Sequence, residues 1–318
     1  MREMVDYQLI SAYISEKICS IKSISGGHIN KSYLIKGENS YILQALNIGL
    51  FSNYLDILTD NYICFKASCD NYNKDKLSPF KYPEWITKID GTYFLTDLSG
   101  KIWRMYKYIP SDDPDKIKET DYLEIGKGLG KLHSILKTCK SIKKIRTTTH
   151  LHDLPYHYKE YLKQNEEYDR RVRDLDIFIG DNINRFLEIT VPADNIIHGD
   201  AKIGNMIFRD GKVDGFIDLD TIMKGSVYDD IADCVRSCCL DCEGNIERHA
   251  LSSILRGYEE GSGIEFTQDI IDLVRMNIEK NCFMLGLRYY TDYLSGNGYF
   301  SEDYPGQTLY KARKLLLR

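Results

Sequence analysis

The chain has 318 residues, with 42 Lys and Arg against 47 Asp and Glu for a formal net charge of -5, and it is 43% apolar and 28% charged. That length suits one large domain or two modest ones, and the composition is that of a globular chain with a buried core. The negative balance excludes a nucleic-acid backbone or an anionic membrane surface as the main partner.

Residues 1–10 hold no apolar signal core, and no run approaches the roughly 18 apolar residues of a membrane span, which predicts a cytoplasmic protein. Nine cysteines at irregular spacing fit reduced thiols better than a disulfide framework. Cys234, Cys238, Cys239 and Cys242 cluster, but the first three fall on a predicted helix and no second C-x-x-C pair joins Cys242. Packed helix residues are favoured over a zinc site.

In chain order, the first motif is Ser25-Gly26-Gly27-His28-Ile29-Asn30, between Ile21 and the alternating Ser32-Tyr33-Leu34-Ile35. Adjacent glycines between strands let backbone approach a ligand, so Gly26 and Gly27 are candidates for a loop over phosphates. A plain hairpin turn explains them equally well, and His28 alone reads as a turn histidine. Residues 40–47 form the next strand. A helix is expected over 51–69, a polar loop over 71–81, and short strands at 85–86, 92–95 and 101–109, with Trp103 and Tyr106 as core residues. Pro110-Ser111-Asp112-Asp113-Pro114 then interrupts any element.

After it the apolar period changes from two to 3.6, with Ile125, Leu129, Leu132 and Leu136 on one helix face. Gly126, Gly128 and Gly130 neither follow a strand nor match a phosphate loop, which predicts close helix packing, and His133 reads as a packed helix residue. Residues 147–155 are expected to be a loop.

Residues 196–221, IIHGDAKIGNMIFRDGKVDGFIDLDT, carry the chemistry. Asp210-Gly211 between two β-rich runs is the strongest short-range signal for a two-residue hairpin. Folding there brings Asn205 level with Asp218, and Asp200 into the same end. Phosphoryl transfer needs that set: a carboxylate to take a hydroxyl proton, and oxygen ligands to hold Mg²⁺ against phosphates. His198 to Asn205 has the H-x-D-x-x-x-x-N spacing of a kinase catalytic loop. Asp200 is thereby assigned as base, Lys202 as a neutraliser of charge on the transferring group, and Asn205 and Asp218 as metal ligands. Solvated turn carboxylates are the plain alternative, which would need spacing, hairpin and acidic exit to coincide by chance. Val227 to Asp233 begins a helix, where Asp230 suits N-terminal capping.

On HGDAKIGN followed by IDLDT the chain resembles the aminoglycoside phosphotransferase and choline kinase superfamily, and more narrowly the N-acetylhexosamine 1-kinases. The resemblance implies an α+β, bilobal protein-kinase-like fold, with an N-terminal nucleotide-binding lobe over 1–109 and a C-terminal catalytic and substrate-binding lobe over 110–318. It also implies ATP as co-substrate and Mg²⁺ as cofactor. By the same resemblance, GHIN opens the first lobe with His28 near the sugar. Gln44, in the YILQ strand, stands where most kinases carry a phosphate-binding Lys; an outward polar strand residue is the other reading of it. Backbone near Tyr108 would meet adenine. Leu151 to Pro155 matches a family motif whose role the residues do not reveal, and Asp230 would brace the catalytic loop. Residues 240–265 depart from the family. The match returns at Gly286 to Leu294 and Gly298-Tyr299-Phe300, similar to the segment that closes the sugar site. Arg288 and Tyr299 thus join His28 and Asp200 as substrate-binding residues, although Arg288 alone reads as a surface helix residue.

The implied activity is phosphorylation of the anomeric hydroxyl of GlcNAc or GalNAc. Competing readings are a kinase of another small hydroxyl compound, such as an aminoglycoside or amino alcohol, and a catalytically silent nucleotide-binding protein, kept open by Gln44. A two-metal hydrolase lacks the extra His and Asp ligands. An arginine at the acceptor disfavours cationic substrates.

Overall fold

Alternation with period two builds the first half of the chain. The computed structural model describes residues 7–24, 30–47, 54–113, 121–143, 150–164, 170–240, 246–296, 298–300 and 302–317, so Gly26, Gly27 and His28 lie outside the described residues, as does Cys242. Strands β1 (Ser20–Ile24), β2 (Lys31–Lys36), β3 (Ser40–Ala45), β4 (Trp85–Ile86), β5 (Leu95–Thr96) and β6 (Ile102–Lys107) form one antiparallel sheet in the order β1-β2-β3-β6-β4, with β5 also on β6. Tyr33, Ile35, Tyr41, Leu43, Trp103 and Met105 point to one face and pack with Ile10 and Tyr13. Successive strand residues face opposite ways, so Ser32, Gln44 and Arg104 share the other face. They stand in one row, because Ser32 pairs with Gln44 and Gln44 with Arg104.

Two boundaries differ from expectation for local reasons. Helix α1 is Tyr7–Ser11, and the helix expected over 51–69 is α2 at Leu55–Asn73, extended into the predicted loop. Its last residue holds the loop: the Asn73 side chain accepts from Phe80 N at 2.7 Å and donates to Phe80 O at 2.8 Å. The strand expected over 92–95 shifts to β5, because Thr92 donates from its N–H and hydroxyl to the Asp90 carboxylate and forms a turn. One hydrophobic cluster takes residues from both sides of position 109, with Phe65, Cys69, Phe80 and Tyr82 packed together with Leu129 and Phe216.

The second half is mainly helical: α3 (Tyr122–Leu136), α4 (Leu154–Lys163), α5 (Arg173–Leu187), α6 (Val227–Cys238), α7 (Arg248–Ser262), α8 (Gln268–Ser295) and α9 (Gln307–Leu316). Among the described residues no helix is long and apolar enough to cross a membrane. The close packing expected of the α3 glycines is present, and α7 meets it with glycines of its own. A Cβ on Gly126 would lie 2.0 Å from Ile254 O, and one on Gly257 would lie 2.0 Å from Leu123 O. Gly130 and Gly261, one turn further along, are similarly close to Tyr258 O and Lys127 O. His133 Nε2 lies 2.8 Å from Asp230 Oδ2 and its Nδ1 lies 2.8 Å from the Tyr258 hydroxyl, which joins α3, α6 and α7.

Backbone atoms cannot yield as a flexible side chain does, so Gly126→Ala and Gly257→Ala should each force the helices apart. Overpacking of this kind costs about 1–3 kcal/mol, or more where nothing relaxes. Chemical denaturation should show a lowered midpoint for both variants, and wild-type midpoints would contradict this account of the α3–α7 contact.

Candidate active site

The hairpin of residues 206–216 is β8 (Met206–Arg209) and β9 (Lys212–Phe216), set between β7 (Asn195–Ile197) and its antiparallel partner β10 (Met223–Gly225). Asp210 (φ 52°) and Gly211 (φ 72°) both adopt the left-handed region, as a two-residue turn requires. Gly215 leaves room for the chain before β4: Lys81 N donates to Asp214 O and Phe216 N to Lys81 O, at 2.8 and 3.1 Å, where a Cβ would meet Lys81 O at 2.0 Å. On the other edge, Phe208 N donates to Ser111 Oγ and Asp112 N to Phe208 O, both at 2.9 Å, so the Pro-flanked segment is docked against β8. Ile217 N donates to Asn205 O at 2.8 Å, which sets Asn205 beside Asp218.

The loop ahead of the hairpin is fixed from below by a buried carboxylate. Asp230 accepts from His198 N at 2.7 Å and from Gly199 N at 2.8 Å. Burial pushes its carboxyl up, but the hydrogen bonds from His133 and the loop, with the nearby His198, hold it below the ordinary range. His198 donates from Nε2 to Ile217 O at 2.9 Å. Gly199 has φ 83°, and a Cβ there would lie 2.5 Å from Thr221 O. The 151–155 motif now has a role: His152 Nε2 lies 3.0 Å from Gly199 O, and Asp153 caps α4 by accepting from Tyr156 N at 2.9 Å. The expected loop therefore ends at Asp153.

At the mouth of the loop, Asp200 Oδ2 accepts from Lys202 Nζ at 2.6 Å and Asn205 Nδ2 at 3.0 Å, and Asn205 Nδ2 also lies 2.8 Å from Asp200 O. Burial draws the Lys202 ammonium down, but Asp200 and the neighbouring carboxylates hold it above its ordinary value. Asp218 adopts φ 59°, ψ 52°, a conformation that non-glycine residues rarely take outside functional turns. Burial, and then the nearby Asp220 and Asp200, push its carboxyl up to about 6. Among the described residues no donor pairs with it. An unpaired carboxylate beside the Asp200 carboxylate and an amide oxygen is a donor set that fits a hard divalent cation, provided phosphate oxygens or water complete the shell. Among the described residues no group of three or more His, Cys, Asp or Glu is arranged to hold a metal alone.

Gln44 is neither outward nor free. Its Oε1 accepts from Arg104 Nε at 2.9 Å and Nη2 at 2.5 Å, and its Nε2 donates to Ser32 Oγ at 3.1 Å. Arg104 in turn grips Asp220 with two bonds, Nη1 to Oδ1 at 2.6 Å and Nη2 to Oδ2 at 2.7 Å. Tyr108 has its N–H committed to Ser40 O at 2.9 Å, so its carbonyl and its half-exposed ring are what it offers a ligand.

A cleft of about 780 Å³ collects the candidates that are described. Gln44, Tyr108, Asp200, Lys202, Asn205, Asp218, Arg288 and Tyr299 all line it. Asp292 accepts from Tyr299 N at 2.9 Å and Phe300 N at 3.1 Å, which folds residues 298–300 back on α8 and sets the Phe300 ring 5.7 Å from the Arg288 guanidinium. Arg104, His152, Asp233, Arg236 and Asn281 also line the cleft without having been foreseen. Asp233 and Arg236 had a signal, since an acid and a base three apart on a helix face can pair; the bond is 3.1 Å. Another cavity, about 850 Å³ and lined by Phe178, Phe186 and Phe283, holds none of these groups.

Solved structures share this architecture. The microcompartment-associated aminopropanol kinase superposes with a TM-score of 0.70 at 14% identity, covering 97% of this chain and 94% of that one. The amicoumacin kinase hAmiN, solved in complex with AMP-PNP, Ca²⁺ and Ami, gives 0.67 at 13% identity, with coverage of 98% and 93%. The streptomycin–ATP ternary complex of APH(2'')-IIa gives 0.60 at 15% identity, with coverage of 99% and 97%. The expected α+β, aminoglycoside-phosphotransferase-type kinase fold is therefore the fold of this chain. The family model for the phosphotransferase enzyme family matches residues 20–264, which include the sheet, the cleft loop, the hairpin and Asp230, and the chain belongs to that family.

Proposed function

We propose that the chain is an ATP- and Mg²⁺-dependent kinase of the anomeric hydroxyl of an N-acetylhexosamine, GlcNAc or GalNAc. The observation that carries the reading is the composition of the cleft. Asp200, Asn205 and Asp218 line it together, and so does Arg288, which has no carboxylate partner among the described residues and stands by the Phe300 ring, itself in contact with Tyr299. A guanidinium offers a rigid fork of donors to hydroxyl and acetyl oxygens, and the Tyr299 ring a face for the sugar. A cationic acceptor would meet like charge there.

In this reading residues 1–109 supply the nucleotide wall, with Gly26 and Gly27 over the phosphates, and residues 110–318 supply the catalytic and acceptor walls, with His28 reaching the sugar from the first. Asn205 and Asp218 would hold Mg²⁺, which when bound neutralises phosphate charge. Arg288, Tyr299 and His28 turn O1 of the sugar toward Asp200. The Asp200 oxygen that neither Lys202 nor Asn205 engages takes the O1 proton as O1 bonds to the γ-phosphorus and the bond to ADP breaks. Lys202, part-exposed and beside Asp200, offsets charge on the transferring group.

Asp200→Asn should lower turnover about 10²- to 10⁴-fold, the range of general-base catalysis, while calorimetry shows nucleotide binding retained. Turnover within about threefold of wild type would remove Asp200 from that role. Arg288→Ala should lower kcat/KM for the N-acetyl sugar roughly ten- to a hundredfold, as loss of a hydrogen-bonding partner of about 1–3 kcal/mol implies. An unchanged kcat/KM would put the acceptor elsewhere.

A further inference from the structure

The polar row across the sheet has a use that Gln44 alone lacks. Ser32, Gln44 and Arg104 are direct cross-strand partners on β2, β3 and β6. Directly paired side chains on one sheet face stand about 4.5–5.5 Å apart at Cβ. A charge moved from position 44 to position 104 therefore stays at the same place in the cleft. The Arg104 and Asp220 side chains are both 3% exposed, and the Arg104 guanidinium lies 4.7 Å from the Trp85 ring centroid. Asp220 follows Asp218 by two residues in the turn Leu219–Thr221, so the pair ties the sheet to the turn that carries a proposed metal ligand. Asn30 adds to the tie: its Nδ2 lies 3.4 Å from Asp220 Oδ2, and its Oδ1 accepts from Asn47 N at 2.9 Å.

We infer that Arg104 is the positioning cation of the nucleotide site, taking over from the neighbouring strand the charge that residue 44 does not carry. Gln44 is its orienting partner and Asp220 its anchor. Buried arginines this fully bonded are costly unless their geometry is fixed from several sides, and Arg104 is held by an amide, a carboxylate and an aromatic face together. The guanidinium balances the carboxylates of Asp218 and Asp220 and so keeps the cleft from repelling polyphosphate. The inference rests on the nucleotide half of the function proposed above and not on the sugar.

The test is relocation of the charge, read by calorimetric binding of MgADP with no acceptor present. Oε1 of Gln44 is already within hydrogen-bond distance of two guanidinium nitrogens. The ammonium introduced by Gln44→Lys reaches one bond further out than that oxygen, and so would fall where those nitrogens sit once Arg104 is gone. Arg104→Met should weaken MgADP binding at least tenfold, and Gln44→Lys with Arg104→Met should restore it to within threefold of wild type. If Arg104→Met alone fails to fold by thermal melt, Arg104→Met with Asp220→Asn leaves no orphan charge and serves as the cation-free reference. A reference that binds MgADP as wild type does, or a lysine-bearing double variant no tighter than the reference, overturns the inference. Wild-type protein that does not bind MgADP would instead overturn the proposed function.

Discussion

The carboxylate of Asp230, buried at the head of α6, accepts the N–H groups of His198 and Gly199, and the loop that presents Asp200 takes its place from that pair of bonds. With those two amides pinned, Gly199 takes its left-handed turn against Thr221, Asp200 emerges at the mouth, and Asn205 closes back on it. A buried carboxylate left without partners would cost about 1–3 kcal/mol or more. Here the cost is met because His133 closes the remaining side and is itself held by Tyr258. The α3–α7 glycines belong to the same device, since they allow the helix carrying His133 to approach the helix carrying Tyr258.

The parts of this arrangement legible in the sequence are those set by short-range geometry. Asp210-Gly211 dictates a two-residue turn, and once the turn is fixed the spacing of Asp200, Asn205 and Asp218 follows from strand length alone. The four-residue glycine spacing on α3 likewise speaks for close packing, although its counterpart on α7 was not anticipated. Gln44 shows where such reading stops. Its meaning depends on a residue sixty positions away, brought opposite by strand pairing that no local pattern encodes. Arg104 lies in a strand whose alternation marks it as facing away from Trp103 and Met105, yet only the register shows what it faces. His152 is hidden for a similar reason, because its contact is a backbone carbonyl in a distant loop. The change from strands to helices is legible in the sequence, whereas core packing follows volume, so α2 packs with the helices that come after it in sequence.

The cleft sets acidic side chains against basic ones. It gathers Asp200, Asp218 and Asp220 against Lys202 and Arg104, a balance suited to a polyphosphate carrying a divalent cation. Arg236 is paired with Asp233, while among the described residues Arg288 stands by an aromatic ring instead of against a carboxylate. In the proposed function a neutral, oxygen-rich acceptor suits an arginine so placed better than an amine does. Under the proposed function a reducing sugar offers several hydroxyls, and Asp200 as the base would serve only the one turned toward it.

The most direct measurement is a proton-coupled phosphorus NMR spectrum of the product formed from ATP, Mg²⁺ and GlcNAc or GalNAc, with the matching 1-O-methyl glycosides run in parallel. The account predicts one new phosphomonoester signal, split by the anomeric proton, from the free sugar and no new signal from the glycoside. Phosphorylation of the glycoside, or a signal split by the two protons on C6, would contradict it.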